Sequence, residues 1–390
     1  MVGRPDRLGE WIVCKAPCSI SLRHAPFEKG ILSEPPTHLL MMKRTNLLII
    51  GSGVAGLSTA YHLTHDEDRE CPAIVLEKED QLGPHASSKN SGMIHHFHPD
   101  RSMRRKIAEG VERLRDLRDE TGRSFLTDRT SLFLFPEETA KELEQDDQPW
   151  GGRASRASST VPASLKPDPL PDGAAWHAFE KDGLIDSDEL LRVLADGVSR
   201  KGVPVRLNRR VTSARRTEDG WRVEAGGETI EAQQIVNAAG AWADRVAELF
   251  GVEPNGLVPY ARHLFVADET LLPPELGFYW DDVHDVYFRH HKKGTLLSVC
   301  DNHRGTPGRP PDVEDPETLL LRTLHEHYPR FEDLTVTDHW WCHRTRAPER
   351  VPYIEEDPEQ DRFYWVGGLE GHGITASMWA GHRAAEMIEL

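Results

Sequence analysis

A glycine turn set between two apolar runs constrains this chain more than any other feature. Residues 46–50 (Asn-Leu-Leu-Ile-Ile) lead into Gly51-Ser52-Gly53-Val54-Ala55-Gly56, residues 57–63 read as a helix with small residues on one side, and a second apolar run, 73–76, ends in Glu77. This order is a βαβ unit with the glycines at its strand-to-helix turn. Gly51 permits the tight turn, Gly53 lets the backbone approach a pyrophosphate, and Gly56 lets helix and strand pack closely. The free N–H groups and dipole at the start of the helix that follows favour an anion. Glu77, with Lys78 beside it, follows the last glycine by about 20 residues, the spacing of an acid that hydrogen-bonds an adenosine ribose. An acid there disfavours a 2′-phosphate, so the unit calls for FAD or NAD rather than NADP.

Composition narrows the partners. The 390 residues carry 47 Lys and Arg against 64 Asp and Glu, a net charge of −17 that repels nucleic acid. No run reaches the roughly 18 apolar residues of a membrane helix, and no signal-peptide core opens the chain. Five scattered cysteines fit a reducing compartment, so a cytoplasmic location is expected. Residues 1–42 hold Pro5, Pro17, Pro26, Pro35 and Pro36 without a sustained apolar period and are expected to form a disordered leader. Cys14 and Cys18 lie there without the further ligands a metal site needs, and no other cluster points to a metal.

Along the rest of the chain, residues 103–120 read as an amphipathic helix with Ile107, Val111, Leu114 and Leu117 as its stripe. Residues 125–135 read as a strand, 144–173 as an irregular excursion, and 187–200 as a helix capped by Asp186 or Ser187. Strands follow at 203–207 and at Val211, a hairpin turns at Gly226-Gly227, and a buried strand over 234–239 reaches Gly240. Residues 257–267, 286–289 and 295–299 add further strands. The expected fold is α/β: a Rossmann-like dinucleotide-binding domain (43–125, 185–250 and 336–390) interleaved with a smaller α+β antiparallel-sheet substrate domain (126–184 and 251–335).

Three more blocks accompany the glycine turn. The first runs Ala86-Ser87-Ser88-Lys89-Asn90-Ser91-Gly92-Met93-Ile94-His95-His96. The second is Asn237-Ala238-Ala239-Gly240-Ala241-Trp242, and the third is Gly371-His372-Gly373-Ile374-Thr375 after a strand. A helix beginning near the third block would aim a positive end at its ligand and support negative charge on a reduced flavin. In this order the four blocks resemble the D-amino-acid oxidase superfamily of FAD enzymes, in particular its glycine oxidase and sarcosine oxidase branch, over about residues 43–390. The resemblance implies FAD as cofactor, with contacts from Gly51, Gly53, Val54, Ala55, Gly56, Glu77, Lys78, Ser87, Ser88, Asn90, Ser91, Gly92, Met93, Ala239, Gly240, Trp242, Gly371, His372, Gly373, Ile374 and Thr375. By position it also implies that Val211 lends its backbone to adenine.

The segment Cys342-His343-Arg344-Thr345-Arg346-Ala347-Pro348-Glu349 carries the substrate information. Arg344 lies eight positions before Pro352, where the resemblance implies a carboxylate-binding arginine; a guanidinium fork matches a carboxylate bidentately. Arg346 is the competing candidate. Cys342 matches the cysteine that sarcosine oxidase relatives link covalently to FAD, and whether the link forms stays open. Ser298 stands where those relatives carry a lysine that assists oxygen, with Lys292 and Lys293 on the preceding turn, so the acceptor is oxygen or another partner. His95, His96 and His98 belong to the segment expected to face the flavin, His95 as a candidate catalytic residue. The implied activity is oxidation of a C–N bond in a small amino acid or secondary amine. Three alternatives stay open: a 2-hydroxy-acid or glycerol-phosphate type of dehydrogenase, because Asn90-Ser91-Gly92-Met93-Ile94-His95 is similar to their flavin loop; a flavin subunit that only relays electrons; and a soluble NAD dehydrogenase, against which the distant third glycine block argues. Assembly as a homo-oligomer or with a partner subunit is also open.

Overall fold

The computed structural model describes residues 43–65, 71–145, 154–157, 161–309, 315–331 and 333–390. The expected leader, 1–42, lies outside them.

Strand β1 (Lys43–Ile50) begins the fold, and its Leu47, Leu48 and Ile49 are fully buried. A strand covered on both faces must be apolar throughout, which is why the sequence shows a run rather than an alternation. On one side β1 pairs in parallel with β2 (Ala73–Leu76), and on the other with the strand Glu228–Asn237. Strands Phe363–Gly367 and Val205–Arg206 extend this parallel set outward. Ile50, Leu76, Asn237 and Gly367 therefore end at one edge, where open α/β sheets bind ligands. Strands Val211–Arg216, Trp221–Ala225 and Tyr353–Glu356 join by antiparallel pairing.

Helix α1 (Val54–His65) covers the sheet beside the C-terminal helix Ser377–Met387. Ser58 Oγ donates to Ser377 O at 2.8 Å, a bond that ties together residues 319 positions apart. Helix α2 (Arg101–Thr121) is capped by Asp100, whose carboxylate accepts from the N–H groups of Ser102 and Met103, and it buries the expected stripe. At Gly110 this helix meets the chain ahead of the C-terminal helix: an added Cβ would lie 2.2 Å from Thr375 O.

A second, mixed sheet of nine described strands packs its own core of Phe265, Tyr279, Phe288 and Leu297. Strand Val336–Arg346 belongs here, antiparallel to Val258–Ala267, and not with the dinucleotide-binding strands as expected. Its partner lies far back in the chain, so no local pattern announces it. The expected strand over 125–135 is two: Leu126–Asp128 pairs with Gly183–Ile185 in a small three-stranded sheet, and Thr130–Phe135 pairs with Ala175–Phe179 in the large one. The chain changes sheets at Arg129, whose N–H donates to Asp182 O. The strand expected over 234–239 ends at Asn237, and that over 203–207 shortens to Val205–Arg206. Within 144–173 the described residues include a short strand, Ala154–Arg156, and a 3-10 turn, Ala163–Leu165; residues 146–153 and 158–160 lie outside the description. The final helix starts at Ser377 rather than near Gly371, because Glu370–His372 forms a 3-10 turn first.

Candidate active site

A cavity of about 550 Å3 opens at the carboxyl ends of the parallel strands and runs to the second sheet. At its first end Gly51, Gly53, Val54 and Ala55 form the turn into α1. Gly51 has φ +109°, a conformation that favours glycine, and α1 carries no acidic residue in its first turn, which leaves the anion-attracting end of the helix uncompensated. Gly56 lies behind the cavity wall, where an added Cβ would stand 2.0 Å from Gly51 O. Its task is helix-to-strand packing and not ligand contact.

Glu77 and Lys78 line the cavity at the end of β2. The Glu77 carboxylate is buried and fixed: Oε2 accepts from the Ser52 N–H (3.1 Å) and Oγ (2.9 Å), and Oε1 from the Glu79 N–H (3.1 Å). Lys78 Nζ stands 4.0 Å over the Trp242 ring, and His85 lies against the same indole. Val211, Ala239 and Gly240 line this end as well.

The loop after β2 divides its residues. Ser87, Asn90, Ser91 and Met93 face the cavity, with Ser87 Oγ accepting from the Val54 N–H at 3.1 Å. Ser88 and Gly92, expected as cofactor contacts, are not on the cavity wall. Ser88 Oγ donates to Gly83 O, and the Gly92 N–H donates to Asn90 Oδ1 at 2.6 Å; both shape the loop.

At the far end stand His95, His98 and His372, with ring centroids 4.8 Å apart for His95 and His372 and 4.7 Å for His98 and His372. Burial pushes the His95 imidazole down to about 4 and holds His372 well below its ordinary value, so both are neutral bases at pH 7. His95 Nδ1 is 3.2 Å from Phe97 O, while His372 Nε2 is buried without a partner. His96 turns away to Asp182, 2.7 Å from Nδ1 to Oδ1, and is a structural histidine. Gly371, Gly373, Ile374 and Thr375 complete this wall. With the helix starting later than expected, what this turn offers is backbone amides in place of a helix end: its bonded N–H groups are those of His372, Ala376 and Ser377.

The second sheet supplies Cys342 and Arg344. Burial raises the Cys342 thiol to about 11. Arg344 Nη2 reaches only neutral acceptors, Asp301 O at 3.3 Å and Asn302 Oδ1 at 3.4 Å, and its Nε is buried and unpartnered. Burial and the neighbouring Arg262 push this guanidinium down to about 10. Arg346, the rival anchor, is off the cavity wall: it pairs with Glu370 at 2.7 Å and lies 4.2 Å over the Tyr260 ring. Its charge is spent on holding the Glu370 turn. Ser298, Lys292 and Lys293 also lie off the wall, Ser298 donating to His263 O and Lys293 pairing with Asp338.

Arg262, Trp280 and Tyr287 line this end without having been anticipated. Arg262 sits beside His263 in a largely apolar strand, and that charge at a buried position is the signal that could have found it.

A parallel sheet with a glycine turn, a buried acid ending its second strand and a glycine-rich turn across one cavity define a flavin-dinucleotide oxidoreductase with a second sheet over its reacting end. The DAO family model, FAD dependent oxidoreductase, matches residues 46–387, and the chain belongs to that family. FAD is its cofactor, and the residues fit it: an anion-favouring turn, an oriented ribose-side carboxylate and space leading to the second sheet lie in one cavity. Among curated relatives, mitochondrial dimethylglycine dehydrogenase of Rattus norvegicus is 26% identical over 91% of this chain and 44% of its own length, and glycine oxidase of Bacillus licheniformis is 23% identical over 89% and 94%. The chain thus spans less than half of the dimethylglycine dehydrogenases it matches. Among solved structures, L-proline dehydrogenase from P. horikoshii superposes with a TM-score of 0.77 at 17% identity, covering 89% of this chain and 93% of that one. Glycine oxidase from Geobacillus kaustophilus does so with 0.71 at 20%, covering 89% and 95%. Among the described residues no helix is long and apolar enough to cross a membrane.

Proposed function

We propose that this flavoprotein oxidises the C–N bond of a small amino acid or secondary amine bearing a carboxylate, and that Arg344 anchors that carboxylate. The observation that carries the reading is Arg344 itself: a half-buried guanidinium on the cavity wall whose hydrogen bonds among the described residues go to neutral oxygens. FAD, when bound, would supply the hydride acceptor; Gly51, Gly53 and Glu77 would hold its dinucleotide part and residues 371–375 its ring. Arg344 would orient the substrate by its carboxylate, and the second sheet would exclude water. His95 and His372, which burial keeps neutral, can accept a hydrogen bond from the substrate nitrogen, and the amine reacts in its neutral form. The imine is then hydrolysed to a carbonyl compound and an amine or ammonia.

His95 also favours a second reading. A neutral imidazole in this position can accept a hydroxyl proton, which suits oxidation of a 2-hydroxy acid held by the same arginine. Product analysis separates the two: incubation of the holoprotein with an artificial acceptor and amines or hydroxy acids should release a carbonyl product, with ammonia or amine, from the amines alone. Release of 2-oxo acid from hydroxy acids only would overturn the amine reading in favour of the second.

A further inference from the structure

The reacting end of the cavity carries more positive charge than one carboxylate needs. Arg262 and Arg344 come from neighbouring antiparallel strands in which Arg262 stands opposite Cys342 and Tyr260 opposite Arg344. The two-residue period of a strand therefore puts both arginines on one face as diagonal neighbours. They are tied at one point: Arg262 Nε donates to Asp301 O at 3.1 Å, and Arg344 Nη2 approaches the same oxygen at 3.3 Å. Both residues line the cavity.

Asp285 acts on both guanidinium groups through space, and no carboxylate among the described residues accepts a hydrogen bond from either of them. Asp301 directs its carboxylate at His263, Oδ1 accepting from the backbone N–H at 2.8 Å and Oδ2 lying 2.7 Å from Nδ1, and it is 3.9 Å from Arg262 Nε. Glu370 is engaged by Arg346 and Arg350. A substrate with a single carboxylate would satisfy one guanidinium and leave the other facing a site from which water has been expelled, where a cation with poor partners is costly.

We propose that the pocket is built for an amino compound with two carboxylates, one on Arg344 and the second on Arg262: a short aminodicarboxylic acid or an N-carboxymethyl amino acid. This rests on the amine-oxidation reading and names its substrate class. For iminodiacetate the balanced reaction breaks one C–H bond next to nitrogen, reduces FAD by two electrons and, with addition of water, gives glycine and glyoxylate.

The test pairs each dicarboxylate with a substrate lacking the second acid group, iminodiacetate with sarcosine and D-aspartate with D-alanine, in anaerobic reduction of the holoprotein. Calorimetric binding of succinate and of acetate supplies a readout independent of turnover. The dicarboxylate of a productive pair should be favoured in kcat/KM by about 30-fold or more, the scale of one charge-assisted contact, and succinate should bind correspondingly tighter than acetate. In Arg262→Met both ratios should collapse toward unity, while Arg262→Lys, which keeps the charge and guards against misfolding as the explanation, should retain part of each. Equal efficiency within the pairs, or an Arg262→Met loss that is the same for both members, overturns the proposal and leaves amine oxidation standing. Tighter binding of glycerol phosphate than of any dicarboxylate also overturns it, and reduction by no amine removes the amine reading and this inference together.

Discussion

At the scale of residues, what separates Arg344 from Arg346 is only what lies above each. They share a strand face and differ by one repeat, yet Glu370 neutralises Arg346 while Arg344 keeps to neutral acceptors. Sequence placed both at the site; the ion pair that removes one of them joins segments whose proximity no spacing reveals. Arg344→Met is expected to lower kcat/KM for a carboxylate substrate roughly 100-fold, mainly through KM, with FAD content unchanged. Arg346→Met should instead lower the melting temperature and leave KM within a few-fold, a contrast that steady-state kinetics and thermal melts measure together. The buried histidines give a pH dependence of definite sign. Burial lowers His95 from 6.5 to about 4 and lowers His372 as well, so below pH 6.5 the unfolded chain takes up protons that the folded one declines. Above that range both states are neutral there and these groups contribute nothing. Stability should therefore fall between about pH 6.5 and 4, and thermal melts of His95→Gln should show a shallower fall over the same window.

At the scale of elements, legibility followed sequence distance. The β1, turn, α1, β2 unit is local: its apolar runs, glycines and terminal acid are adjacent in the chain, and the structure forms it where the pattern lies. Strand Val336–Arg346 reads as part of the other domain because its pairing with Val258–Ala267 is non-local and because the blocks around it belong to the dinucleotide side. The final helix starts later than its sequence suggests because a glycine-rich 3-10 turn and a helix N-terminus look alike in sequence. Arg262 is masked by the largely apolar strand around it. The turn from Glu370 to Ala376 is held from behind by α2 at Gly110, where any side chain meets Thr375 O. Gly110→Ala is therefore expected to displace that turn, costing on the order of 1–3 kcal/mol in stability and weakening FAD retention, as melts and flavin-to-protein absorbance ratios would register.

At the scale of the whole molecule, an acidic chain of net charge −17 should repel the carboxylate it is proposed to bind. On this reading Arg262 and Arg344, set on the cavity face of the second sheet, counter that field locally. The same wall bears on the flavin. Burial holds Cys342 as a neutral thiol, which is a poor nucleophile, so acid precipitation is expected to leave the yellow colour in the supernatant rather than the pellet. Ser298, Lys292 and Lys293 lie away from the cavity wall, so the reduced protein should recover its colour slowly in air and quickly with an artificial acceptor.

Anaerobic titration of the oxidised holoprotein, followed by the visible flavin absorbance, tests the central claim most directly. Stoichiometric bleaching by a carboxylate-bearing amine, lost in Arg344→Met at the same concentration, is the predicted result. Bleaching by 2-hydroxy acids but by no amine, or bleaching by amines that Arg344→Met leaves unchanged, would contradict it.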